Sequence, residues 1–298
     1  MQDEAVAWSW RLLRAAFWVV HLLGPDGELP DVLHGSWPDL PLAGEVDFEE
    51  LATAERGLRE LNLIRLVDCR LVATSRLLAA CGRWHPEAPQ LLLSVILETA
   101  PPLWLRTATG EGEHLRSEFI PDDAGKALDT VIADPKRREA FLLARGRTVD
   151  ARERKAIGDR GEEAVVAACR TELSALGEHA LTGLVQRVSL ISDELGYDVI
   201  APRRDDRVRR LEVKATRSAA AEVNVFITRN EFTVGCADPS WSLVVVRVHR
   251  DRHAEIIGYA PARDLENLIP IDSHTRGQWT VARLSLSVSR LRPGLPPA

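Results

Sequence analysis

Residues 196–218 read GYDVIAPRRDDRVRRLEVKATRS. Two apolar runs flank a turn crowded with charge, and Asp198, Glu212 and Lys214 lie on the runs themselves. An ionised side chain on an otherwise buried strand is costly unless it is paired or binds a metal. Residues across an antiparallel hairpin pair at a constant index sum, and side chains alternate between faces. A turn centred on Asp205 therefore puts Asp198 opposite Glu212, with Lys214 on the same face about 6.8 Å further along. Val199 and Ala201 share the other face with Leu211, Val213 and Ala215, the natural core face. This parity requires a loop of odd length, because a two-residue turn at Asp205-Asp206 would separate the two acids.

The segment before the hairpin contributes another acid. From Glu162, the residues Val166, Cys169, Leu173 and Leu176 recur at helical spacing, so Glu162 heads an apolar stripe, while Glu163 leads to Ala167, Arg170 and Ser174 on a more polar side. Gly158 and Gly161 permit close approach of helix and sheet. Glu162, Asp198, Glu212 and Lys214 are thus expected together at one end of a sheet, as three carboxylates and one ammonium. Hard oxygen ligands suit Mg²⁺ or Mn²⁺, which retain waters and accept phosphate oxygens. Such an ion activates water and neutralises charge on a phosphodiester. Lys214 is placed to position or deprotonate the attacking water, or to stabilise a pentacoordinate phosphate, and the residues alone do not choose among these.

Composition bounds the rest. The 298 residues suffice for one large or two ordinary domains, and 45% apolar with 28% charged residues is a globular composition. Net charge is −6, which excludes a general polycation. Residues 151–250 nevertheless carry +1 and the remainder −7, so any nucleic-acid contact would occupy a local groove. Cys69, Cys81, Cys169 and Cys236 are scattered without a CxxC pair, which suggests free thiols in a reducing cytoplasm. The apolar stretch 5–23 is interrupted by Arg11, Arg14 and His21 and reads as a core helix, so no membrane partner is expected.

Along the chain, a Trp-rich helix ends at Gly24-Pro25 and a Pro/Gly-rich loop runs to about Gly44. VDFEELATAERGLRELNLI has helical apolar spacing through Leu51, Ala54, Leu58, Leu61 and Ile64. A short hairpin, RLVDCRLVATS, and a helix from about Arg76 follow. This order resembles a winged helix, with a plain helical scaffold as the alternative. One apolar helix is expected over 87–106 and two more over 121–147. The charged run RGRTVDARERKA at 145–156 marks the expected boundary between a helical recognition or docking domain, 1–150, and a second domain, 151–298. The second domain reads as helix 152–176, strands 183–191, 197–202 and 208–216, helix 228–237 and strand 241–248, an α/β (α+β) layered fold. RLSLSVSRL adds a last strand or packing arm, and the ending RPGLPPA is expected to fray.

Two features have ordinary readings beside functional ones. Thr228-Arg229-Asn230-Glu231 is a capping box stapled by Ile227 and Phe232, which already gives Glu231 a structural task. Arg203, Arg204, Arg207, Arg209 and Arg210 crowd the turn and, with Arg217, form either a solvated charge run or a clamp for phosphates. Aromatic residues are sparse here, which argues against a stacking platform for single strands.

An acid entering one strand, E-V-K on the next and a helical glutamate before both resemble the PD-(D/E)xK phosphodiesterase superfamily with its restriction-endonuclease-like fold. More narrowly, GDRGEEAV, RVSLISDELGYDV, RLEVKATRS and ITRNEF resemble the DUF3883 family, the C-terminal domain named after the plant protein NO VEIN, over roughly residues 152–250. The resemblance implies Asp198 and Glu212 as metal ligands, Lys214 as catalytic lysine and Glu162 as accessory acid and third metal ligand. Tyr197 stands where the superfamily's name has proline. It further implies a Mg²⁺-dependent (or Mn²⁺-dependent) DNA endonuclease in a restriction or antiphage defence system. Its partners would be DNA, a second copy of the chain for duplex cleavage, and a helicase, ATPase or other defence subunit. Arg203, Arg204, Arg207, Arg209 and Arg217 are the candidate backbone contacts. The alternative is an inactive module that keeps the nuclease fold as a scaffold for binding DNA or protein.

Overall fold

The computed structural model of the chain describes residues 8–40, 46–81, 87–110, 114–251, 253–272 and 278–298. The chain divides into two compact units, Met1–Arg152 and Glu153–Ala298.

The first unit is mainly helical. Helix α1 (Trp10–Leu23) starts where the Ser9 side chain accepts the Leu12 N–H, and it buries Leu13, Ala16, Phe17 and Val20. It is a core helix, as its interrupting charges predict. Among the described residues no helix is long and apolar enough to cross a membrane. Short α2 (Pro30–Gly35) precedes α3 (Phe48–Glu60), which opens on a reciprocal Asp47/Glu50 capping box and buries Leu51, Ala54 and Leu58. Strands β1 (Ile64–Val67) and β2 (Arg70–Ala73) form the expected hairpin, turning through Asp68 and Cys69 at φ 47° and 65°. Glu28 bridges Leu71, so helix, bridge, two helices and hairpin follow in the order of a winged helix.

Four further helices follow: α4 (Ser75–Cys81), α5 (Ala88–Thr99), α6 (Leu103–Thr109) and α7 (Asp122–Val131). The single helix expected over 87–106 is therefore two, because Pro101-Pro102 disfavours helical backbone before it and removes two N–H donors. Helix α8 (Pro135–Ala175) runs without a break through the charged stretch 145–156.

The second unit adds α9 (His179–Thr182), β3 (Gln186–Arg187), β4 (Val199–Pro202), β5 (Val208–Thr216), β6 (Glu222–Thr228), α10 (Arg229–Ala237), β7 (Trp241–Val248), β8 (Ala254–Pro261) and β9 (Val281–Ser287). A mixed sheet has the order β3-β4-β5-β7-β8, with β5 and β7 parallel and the other pairs antiparallel. Strands β6 and β9 make a separate antiparallel pair. The sequence reading overlooked β6 and β8, and the expected strand 183–191 contracts to the two residues of β3.

The sheet is buried on both faces. Val165, Cys169 and Leu173 of α8 pack on Val199, Leu211, Val213 and Val246. Leu243 and Val245 look the other way, toward Val223, Val225 and Ile227 of β6 and Leu284 of β9. A Cβ on Gly161 would lie 2.7 Å from Ala215 Cβ, so this glycine sets the helix–sheet approach, whereas Gly158 meets nothing within 4 Å. The buried line of α8 runs through Gly161, Val165, Cys169 and Leu173; it keeps Cys169 and Leu173 of the expected stripe, replaces Glu162 and Val166 by the residues one position earlier, and leaves Leu176 exposed. The C-terminal segment does not fray. Tyr259 and Arg292 exchange main-chain bonds of 2.8 and 2.9 Å, Pro296 O accepts Arg209 Nη1 at 2.7 Å, and Leu295 packs on the core.

Candidate active site

Strands β4 and β5 pair from Val199↔Leu211 to Pro202↔Val208, which centres the turn on Asp205. Arg203 N–H donates to Arg207 O at 2.8 Å, closing a three-residue loop in which Asp206 takes the left-handed φ of 61°. The odd loop preserves the parity, so Asp198, one residue ahead of β4, stands at the register position opposite Glu212. Three main-chain bonds fix it there. Its N–H donates to Leu211 O at 2.9 Å, and its carbonyl accepts Val188 N–H at 2.8 Å and Ser189 N–H at 3.3 Å. Its Oδ2 accepts Val213 N–H at 2.7 Å, which locks the carboxylate against β5.

Glu212 is 3% exposed and Lys214 Nζ lies 2.6 Å from its Oε1. The same ammonium lies 3.1 Å from Glu231 Oε2. Glu231 also accepts Thr228 N–H at 2.8 Å with that oxygen, and its own N–H bonds Thr228 Oγ1. The expected capping box is therefore present, and it delivers a second carboxylate to the lysine. Sequence reasoning favoured the structural task for Glu231 over a functional one; the signal it lacked was the contact of Glu231 on α10 with Lys214 on β5.

The electrostatics follow from the burial. Burial pushes Asp198 up to about 6, with Glu162 and Glu231 adding to the rise and the Val213 N–H and Lys214 opposing it. Burial likewise holds Glu212 well above the usual carboxylate range, reinforced by Asp198 and Glu231 and opposed by Lys214. For Lys214, burial works against the ammonium, but Glu212 and Glu231 outweigh it and its pKa is raised. Three carboxylates face one ammonium, so the fully ionised site is two charges short of balance.

Glu162 is placed differently from the expectation. Its Oε2 accepts Arg187 Nε at 2.5 Å and Ser189 Oγ at 2.5 Å, and Arg187 also binds Asp159. It arrives with α8, which covers the Val213 face, whereas Glu212 and Lys214 belong to the opposite face by strand alternation. Its charge reaches Asp198, but the expected meeting of three carboxylates on one cation is not formed. Among the described residues no group of three or more His, Cys, Asp or Glu stands at metal-holding separation. What fits a divalent ion is narrower: the buried oxygen pair of Asp198 and Glu212, whose excess charge matches a hard cation that keeps its remaining positions for water.

The turn arginines are largely committed elsewhere. Arg203 and Arg207 bind Asp205, Arg204 binds Glu178, and Arg210 binds Asp238 and Ser240. Arg209 is 1% exposed and pairs with Glu172 at 2.5 Å, which removes it from any contact with a polyanion. Arg217 pairs with Glu153. Arg203, where the loop begins, lies about 17 Å along the strand from Asp198, and the side chains of Arg204 and Arg207 remain more than half exposed.

A family model matches part of this unit. Residues 161–257 match the family model for Protein NO VEIN, C-terminal. The matched stretch spans the site, from Gly161 at the α8–sheet contact through Asp198, Glu212, Lys214 and Glu231 into β8. This similarity to the NO VEIN C-terminal family leaves the first unit outside it. No curated protein and no solved structure matches the chain.

Proposed function

We propose that the chain is a Mg²⁺-dependent endonuclease that hydrolyses phosphodiester bonds in DNA, working in a restriction or antiphage system. The observation that carries this reading is the uncompensated negative charge of Asp198, Glu212 and Glu231 around Lys214, on an acid–E-V-K hairpin. Asp198 and Glu212 would hold the ion, and a bound Mg²⁺ or Mn²⁺ would supply an activated water and neutralise phosphate charge. Val213 N–H fixes the Asp198 carboxylate so that it cannot swing away when the neighbouring acids repel it. Lys214, held as an ammonium by Glu212 and Glu231, donates hydrogen bonds to a charged phosphate oxygen and does not take a proton. Glu162, tied by Arg187 and Ser189, adds negative charge beside Asp198.

A nicking assay on plasmid DNA with Mg²⁺, Mn²⁺ or EDTA tests the reading. Cleavage should require the metal and vanish in Asp198→Asn, with calorimetric Mg²⁺ binding lost in the same variant. One feature favours the alternative of a non-catalytic DNA- or protein-binding module, namely the engagement of Lys214 by two carboxylates at once. Metal-independent DNA binding without cleavage by the wild type would decide for that module.

A further inference from the structure

The first unit contains the opposite imbalance. Glu98 on α5 has a side chain only 4% exposed, and three arginines converge on it: Arg76 from α4, and Arg145 and Arg152 from α8. Arg76 binds Oε2 and Arg145 binds Oε1, while Arg152 Nη2 lies 2.8 Å from Oε2 and its Nη1 donates to Glu98 O at 3.3 Å. Ser94 Oγ accepts Arg145 Nη1 at 2.7 Å. Burial works against an ionised Glu98, but the three guanidinium groups outweigh it and hold its pKa below the usual range. The cluster thus contains three permanent cations and one anion.

This set has one anionic partner for three cations. Among the described residues, Glu98 is the carboxylate at ion-pair distance from all three arginines, whereas the five arginines of the 203–210 turn share four carboxylates. Surplus guanidinium charge around a single carboxylate is stabilised by an acceptor-rich anion. The side chains of Arg76 and Arg152 are 41% and 51% exposed, so such an anion reaches them from solvent.

We propose that Arg76, Arg145 and Arg152 form a phosphate-binding site that grips the backbone of a nucleic acid. Guanidinium groups take phosphate oxygens in pairs, and adjacent diester phosphates carry the charge needed to offset the surplus. Glu98 then acts as the internal anchor that keeps three like charges together while no ligand is bound. The choice of a nucleic acid among phosphate ligands rests on the phosphodiesterase reading; the anion site itself does not.

The test is equilibrium binding of a short DNA duplex to the full chain in EDTA, across a salt series, with Arg152→Gln and Arg76→Gln. Each folded variant should lose affinity several-fold, and its slope of log K against log salt should become shallower by about one. Arg152→Lys and Arg76→Lys should restore most of the slope, which a purely structural role would not do. If Arg76→Gln melts early, Arg152→Gln carries the test, since Arg152 has the more exposed side chain of the two. Unchanged affinity and slope in folded variants, or no duplex binding by the wild type, overturns the proposal. Binding with the expected slopes but no metal-dependent cleavage would leave this site standing and remove the nuclease reading alone.

Discussion

At the tip of the β4–β5 hairpin, Arg203, Arg204 and Arg207 stand beside Asp205 and Glu178. At its base, Asp198, Glu212 and Glu231 surround the single ammonium of Lys214. The tip has more charges and a more conspicuous sequence, yet nearly every cation there has an anion within reach. The base has fewer charges, but they are buried and unequal in number. A matched pair at the surface contributes little, because water and salt already screen it. An unmatched set under low dielectric must protonate, bind an ion or destabilise the fold. Charge balance and burial, not charge density, thus separate an ordinary turn from a candidate site.

The comparison is most exposed to failure at Lys214. Replacing it by Met should lower cleavage by about 10²–10³-fold, measured as the single-turnover rate on plasmid, while circular dichroism reports the fold. A rate within a few-fold of wild type would place the chemistry elsewhere.

Asp198 connects activity to pH. Its pKa is raised to about 6 from an ordinary 3.8, so the folded protein binds this proton more tightly than the unfolded chain does. In EDTA, its contribution should make stability fall as pH rises between about 4 and about 6, and level off above. Asp198→Asn removes that penalty, so at neutral pH without metal the variant should melt a few degrees above wild type while losing cleavage. Wild-type cleavage should fall as pH is lowered through 6 or below, because a bound cation competes with the proton. A variant that melts lower than wild type would show that the buried carboxylate is compensated after all.

Glu231 divides cap from charge. Glu231→Gln can still accept Thr228 N–H but presents no negative charge to Lys214, whereas Thr228→Ala weakens the cap and keeps the charge. The first should reduce kcat about tenfold with little change in KM. The second should cost roughly 1 kcal/mol of stability with little loss of kcat. Equal effects on kcat would mean that only the helix terminus matters. The smallest changes belong to the tip: Arg204→Ala and Arg207→Ala should alter stability by less than about 0.5 kcal/mol and leave the cleavage rate within two-fold, read by thermal melts and the same plasmid assay.

Much of the site was legible because its rules are local. The period-two alternation of LEVKA and the odd loop set the hairpin parity, and β5 and β7 occupy the spans their apolar runs suggest. The capping box at Thr228 was written in a four-residue pattern. Less legible were β6, whose alternation of Val223, Val225 and Ile227 with polar residues finds its partner in β9 far along the chain, and β8, which closes the sheet edge. Arg187 and Ser189 were passed over because nothing near them in sequence announces Glu162. Arg209 looked like its neighbours in a basic run, but the opposite strand face and the C-terminal segment bury it.

The amino-acid order alone determined which residues share a strand face, where the Thr228 capping box starts a helix, and that Asp198, Glu212 and Lys214 belong to one hairpin, since these follow from backbone periodicity and near-neighbour hydrogen bonding. Only the closed tertiary structure decided which charges are balanced: Glu231 joins Lys214, Glu162 is claimed by Arg187, and three arginines share Glu98. Electrostatic partnership depends on distance and dielectric, and both are created by packing between elements that the chain keeps far apart.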